Sequence, residues 1–133
     1  MYGLHLVADL YDCGGDNAYL LSRQKLEMTC VAECKKAGLT PLGAFFYQFQ
    51  SELGGDAGVT GTVVLAESHL AIHTWPELNQ VTLDVYVCNF TQDNSSKAKT
   101  ILTSLLKLFK PAEKNVQEII RGEIGKTKKV VNL

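Results

Sequence analysis

The sequence predicts an α+β fold, a two-layer sandwich in which two helices pack on one face of a mainly antiparallel sheet. Three observations carry this. The chain has 133 residues, of which 46% are hydrophobic and 20% charged, the size and composition of one compact domain with a real core. Two stretches have the apolar spacing of amphipathic helices, and several others have the short pattern of half-buried strands. Both kinds of element need a cover, and packing the helices on the sheet supplies it to both.

The elements follow in order. Leu4 to Tyr11 alternates in part and reads as a strand, ended by the turn signal Cys13-Gly14-Gly15-Asp16-Asn17. Residues from about Ala18 to Ala37 carry apolar Leu20, Leu21, Leu26, Cys30, Val31 and Cys34 among strong helix formers, and Gly38 stops the run. Leu42 to Phe49 is a strand, Ser51 to Gly58 a loop, and Thr60 to Glu67 a hydrophobic strand. His69 to Trp75 and Val81 to Cys88 are two more. Asp93-Asn94-Ser95-Ser96 can cap a second helix running to about Phe109, through apolar Ile101, Leu102, Leu105, Leu106 and Leu108. Pro111 lies past its end, and Val116 to Arg121 forms the final strand. Val, Leu and Tyr on both faces of strands 60–66 and 81–87 predict a homodimer or higher oligomer that hides the second face.

Composition excludes several classes of function. Thirteen basic and fourteen acidic residues give a net charge of -1, and no basic stripe with stacking aromatics of the kind nucleic-acid binding needs is present. The basic stretch Lys126-Thr127-Lys128-Lys129 reads as a solvated tail. No apolar run approaches the roughly 20 residues of a membrane span, and the N-terminus lacks a signal-peptide pattern, so a cytoplasmic location is expected. The four cysteines, Cys13, Cys30, Cys34 and Cys88, form neither a CxxC pair nor a disulfide framework, and reduced thiols are expected. Cys30 and Cys34 share a helix face, where core packing is favoured over a zinc site, and no metal is expected.

The chemistry concentrates in Glu67-Ser68-His69, His73-Thr74-Trp75-Pro76-Glu77 and Cys88. A Glu-Ser peptide bond at the end of a buried strand gives the Ser68 hydroxyl a neighbouring carbonyl to attack. If Leu78-Asn79 tips a tight turn, Glu77 faces Gln80, paired numbers sum to 157, and Cys88 lies opposite His69, within a residue of Ser68. Residues five apart in a strand point to opposite faces, so Ser68 and His73 meet only if the chain bends near 67–69. His69 and His73 have the spacing of a zinc-binding helix, but in a strand they stand about 13 Å apart. A serine-hydrolase elbow is also disfavoured, since Ala66-Glu67-Ser68-His69 lacks both glycines.

Glu67-Ser68-His69, a histidine five after the serine, Trp75-Pro76-Glu77 and a cysteine twenty after the serine together resemble the short prokaryotic S-adenosylmethionine decarboxylase proenzymes. The resemblance extends to Gly3 to Tyr11 and to Gly58-Val59-Thr60-Gly61. It implies that Ser68 attacks the Glu67 carbonyl and that the chain, a single domain over 1–133, splits into a β fragment, 1–67, and an α fragment, 68–133. Ser68 then becomes a pyruvoyl cofactor, whose ketone forms a Schiff base with an amino-acid-type substrate and accepts electrons as CO2 leaves. By the same resemblance His73 takes the Ser68 α-proton, Thr60 steadies the acyl-shift oxyanion, and Cys88 protonates the substrate carbon. Phe49 is matched to an aromatic residue that stacks on adenine, and Glu77 to one that binds the nucleoside. A homodimer with sites near its interface, and a metabolic link to an aminopropyltransferase making spermidine, are further implications. Leu78-Asn79-Gln80 and Val87-Cys88-Asn89 depart from the usual family pattern, and the Ser51–Ala57 loop looks longer than usual. L-arginine or L-ornithine therefore remain alternative substrates, and an unprocessed regulatory paralogue is a second class of reading.

Overall fold

The computed structural model describes residues 2–122; the basic stretch 126–129 lies outside them. Six strands, β1 (Gly3–Cys13), β2 (Pro41–Gln50), β3 (Asp56–Leu65), β4 (Ser68–Trp75), β5 (Gln80–Cys88) and β6 (Pro111–Arg121), form one sheet in the order β2-β3-β4-β5-β1-β6. Every neighbouring pair is antiparallel. Helices α1 (Ala18–Leu21), α2 (Arg23–Lys36) and α3 (Ser95–Phe109) cover one face. Burial on β5 alternates at every residue, Val81, Leu83, Val85 and Val87 facing the helices and Thr82, Asp84 and Tyr86 the open side. This is the two-layer α+β sandwich that the apolar patterns predict.

The expected single helix over 18–37 is broken at Ser22, whose extended backbone ends α1 and whose hydroxyl accepts the Lys25 N–H as the cap of α2. The strand expected to begin at Thr60 begins at Asp56, after a short turn in which Ser51 N–H donates to the Gly55 carbonyl. β6 starts at Pro111 rather than at Val116, because proline lacks only the N–H and an edge strand tolerates that loss. Asn94 holds the cap position of α3 without capping it; its amide donates instead to the Cys88 carbonyl, and Asp93 accepts the Ser95 N–H.

The register differs from the expected one by two. Trp75 pairs with Gln80 and Ser68 with Val87, so paired numbers sum to 155, and His69 faces Tyr86 rather than Cys88. The cause is the turn. Pro76–Leu78 makes one 3₁₀ turn and Asn79 follows in the left-handed region at φ 54°, so four residues connect the strands where two were expected.

The open face is more polar at its centre than expected. Its apolar groups sit toward the flanks: Phe45, Tyr47 and Phe49 on β2, Val64 on β3, Trp75 on β4 and Ile119 on β6. On the helix side, Phe46 lies over Gly61, where an added Cβ would run into the ring. Gly61→Ala is therefore expected to cost about 1–3 kcal/mol of unfolding free energy, measured by urea titration. The thiols of Cys30 and Cys34 are buried, and burial pushes Cys34 up to about 12 and Cys30 higher still. Both stay protonated in the folded chain while the unfolded chain ionises near pH 9. Stability present below pH 9 is accordingly lost as pH rises toward 12. At pH 8, iodoacetamide is expected to modify half-buried Cys88 and spare Cys30 and Cys34, as read by peptide mass mapping.

Candidate active site

The Glu67–Ser68 peptide bond sits at the end of the β3–β4 hairpin, whose connection is Ala66 and Glu67 alone, since Leu65 pairs with Ser68. Two-residue hairpin loops favour positive φ in the loop itself, yet neither Ala66 nor Glu67 has it. The deviation falls on Ser68, at φ 150°, far from the usual strand value near -120 to -140°. The kink expected to turn Ser68 toward His73 is absent, since strand pairing runs through Ser68 without a bulge; what the structure has instead is a strained φ at Ser68 itself.

Four hydrogen bonds hold this linkage. The backbone N–H of Cys88 donates to the Glu67 carbonyl at 2.7 Å. Thr40, between α2 and β2, donates its backbone N–H to one carboxylate oxygen of Glu67 and its hydroxyl to the other, each at 3.0 Å. The Ala66 N–H returns a bond to the Thr40 carbonyl at 2.9 Å. Cys88 therefore adjoins the reactive linkage, as expected, but through its partner Glu67 rather than by facing His69.

His73 lies elsewhere. It pairs with Thr60 on one side and Thr82 on the other, and its Nδ1 makes a short hydrogen bond with the Thr60 hydroxyl. Ser68 falls in the cross-strand row of Leu65, Val87 and Leu4, all buried toward the helices, whereas exposed His73 belongs to the open face. Five residues of strand separate them, about 17 Å at ~3.4 Å per residue. The structure does not bring Ser68 and His73 of one chain together.

His73 instead lines a cleft of about 280 Å³ with Phe49, Gly58, Thr60, Trp75 and Glu77. Four residues singled out in the sequence thus share one cavity, and Glu67 and Cys88 line a separate hollow with Ala66, Phe90 and Asn94. The His73 cleft offers two aromatic surfaces and one carboxylate, a lining suited to a flat base with hydroxyls nearby. Its volume lies just below the ~300–1,000 Å³ typical of ligand sites.

Sequence reasoning missed Thr40, Trp75 as a cavity wall, and a polar cluster on the open face. In that cluster the Nε2 atoms of His5 and His69 each lie 2.9 Å from one oxygen of Asp84. These three groups could hold a metal by proximity alone. The Arg121 guanidinium, however, donates to His5 Nδ1, so that imidazole keeps its proton on Nε2, aimed at Asp84. A metal-bound histidine would instead direct Nδ1–H to an acceptor. The cluster is a hydrogen-bonded network tethering His69, the residue after Ser68.

A strained Glu67–Ser68 hairpin beside Cys88, on an antiparallel sheet covered by helices, keeps the arrangement implied by the motif's resemblance to decarboxylase proenzymes. The chain belongs to the S-adenosylmethionine decarboxylase family, whose model matches residues 4–122. It is 37% identical over 131 residues to the S-adenosylmethionine decarboxylase proenzyme of Acetivibrio thermocellus, covering 98% of this chain and 97% of that one. It is 33% identical over 122 residues to the proenzyme of Thermoplasma volcanium, covering 92% and 85%. The crystal structure of the adenosylmethionine decarboxylase from Aquifex aeolicus superposes with a TM-score of 0.77 at 34% identity, over 96% of this chain and 97% of that one.

Replacing Asp84 by Asn should weaken the bridge between β1, β4 and β5 and lower the unfolding free energy by about 1 kcal/mol in guanidinium titration, the size of one partly exposed charged hydrogen-bond network.

Proposed function

We propose that this protein decarboxylates S-adenosylmethionine after cutting itself between Glu67 and Ser68. The observation that carries the proposal is the hydrogen bond from Cys88 N–H to the Glu67 carbonyl, made to the oxygen that must bear negative charge when Ser68 attacks. Ser68 Oγ adds to the Glu67 carbonyl carbon, the carbon–nitrogen bond breaks, and an ester replaces the amide. A donor already in place on that oxygen lowers the barrier without reorganisation. The His73 imidazole takes the Ser68 α-proton; the Glu67 carboxylate departs, leaving a dehydroalanine end on fragment 68–133. Water then displaces ammonia from that end, and the pyruvoyl group remains at residue 68.

The residues fit such a group, since its precursor serine already stands at the strained, tethered linkage. When present it supplies an electrophilic carbonyl that captures the substrate amine and an electron sink for loss of CO2. Cys88, half-buried next to that position, delivers a proton to the substrate carbon. Phe49 and Trp75 pack the adenine and Glu77 binds the nucleoside hydroxyls.

The 17 Å separation of Ser68 and His73 supports a homodimer in which each reactive linkage is served by His73, Thr60, Phe49 and Glu77 of a second copy. Packing two open faces together would also bury the exposed aromatics of β2 and enlarge the cleft. Among the described residues no helix is long and apolar enough to cross a membrane, in keeping with a cytoplasmic enzyme. Its product would feed an aminopropyltransferase in spermidine synthesis.

The proposal predicts two masses in denatured, freshly purified protein, 1–67 and 68–133, the second carrying a pyruvoyl end. Labelled CO2 should come from carboxyl-labelled S-adenosylmethionine and not from arginine or ornithine. A single uncut chain of 14.6 kDa, inert toward all three, would overturn it.

A further inference from the structure

We infer that Thr40 is a positioning residue for self-cleavage, holding the Glu67 side chain so that the Glu67 carbonyl stays in reach of Ser68. The inference rests on the cleavage proposed above. Thr40 contributes three bonds to the hairpin: its N–H and hydroxyl to the two Glu67 carboxylate oxygens, and its carbonyl to the Ala66 N–H. A carboxylate gripped at both oxygens is fixed in orientation as well as distance, and bonds to an ionised acceptor are stronger than neutral ones. The clamp gives a physical reason for glutamate immediately before the serine: aspartate is one methylene too short to reach both donors, and an amide lacks the charge that strengthens both bonds.

Thr40 is itself held rigidly. Pro41 follows it and bars it from the helical region, leaving an extended backbone. Leu39 before it is buried, and its N–H donates to the Cys34 carbonyl at the end of α2. Gly38 turns the chain out of the helix at φ 92°. The two donors therefore stand where they are needed without further ordering. With Cys88 N–H on the carbonyl oxygen and Thr40 on the carboxylate, Glu67 is held at both ends while the backbone deviation is left on Ser68.

Self-cleavage of Thr40→Val and Thr40→Ser is to be followed by intact-mass time courses after cell-free synthesis. Valine keeps the volume and the backbone N–H but removes the hydroxyl, and its cleavage half-life is expected to lengthen about tenfold. Serine restores the donor and should stay within about twofold of wild type. Once fully cleaved, Thr40→Val should match the wild type in kcat/KM within about twofold, which a general packing defect would not allow. Cleavage of folded Thr40→Val at the wild-type rate would overturn the inference, as would an equal loss in the matured enzyme. Should Thr40→Val fail to fold by circular dichroism, Glu67→Leu, which removes both acceptor oxygens at similar size, reads the same clamp. Slowed cleavage in that variant upholds the inference and wild-type cleavage overturns it. If the wild-type chain is never cut, the cleavage reading itself fails.

Discussion

The structure depends on the hydrogen bond between Cys88 N–H and the Glu67 carbonyl, the last rung between the β3–β4 hairpin and β5. It continues the register in which numbers sum to 155, and so fixes which residues stand in every row of the sheet. With this rung in place the hairpin cannot relax by swinging its loop away. Thr40 blocks the other direction, and the conformational misfit of a two-residue connection without glycine comes to rest on Ser68. A residue held in a sparsely populated conformation costs on the order of 1–3 kcal/mol, and such strain persists only where the surrounding structure over-determines it.

The same register separates the chemistry into two halves. Glu67, Ser68 and Cys88 stand at one end of the central strands; Thr60, His73, Trp75 and Glu77 stand toward the other, with Phe49 beside them on β2. No bend at residues 67–69 closes a gap of about 17 Å along a paired strand, because a paired strand has little freedom to shorten. The open face between the halves combines exposed aromatics at one flank with the His5–Asp84–His69 network near its centre. A surface of that kind suits a second copy related by a two-fold axis, which would place the two halves of different chains opposite each other.

Much of this was legible in the sequence, for identifiable reasons. The period of β5 and of α3 is carried by residues whose burial decides their place, so both elements were read at nearly their true limits. The nearness of Cys88 to the Glu67–Ser68 linkage was visible because adjacent strands keep the two close under either turn, whereas the separation of Ser68 from His73 and Glu77 follows from the unbroken pairing of β4. The register was not, because Pro76 and Asn79 build a longer connection than the shortest hairpin, and local chemistry at Trp75–Gln80 admits both. The break at Ser22 was hidden within a run of good helix formers, where one capping hydroxyl outweighed propensity. Thr40 carries no signal at all in the sequence: it lies 27 positions before Glu67, and only the packing of α2 against β2 brings it there.

The central claim is that the two halves of the site belong to different chains, and hybrid complementation tests it most directly. A Ser68→Ala chain and a differently tagged His73→Ala chain would be expressed separately and together, hybrids isolated through both tags, and each chain weighed by mass spectrometry. The account predicts that the His73→Ala chain stays whole alone and is cut between 67 and 68 in the hybrid, served by His73 of the other chain. A His73→Ala chain that remains uncut in purified hybrids would contradict it, and would require Ser68 and His73 to meet within a single protomer.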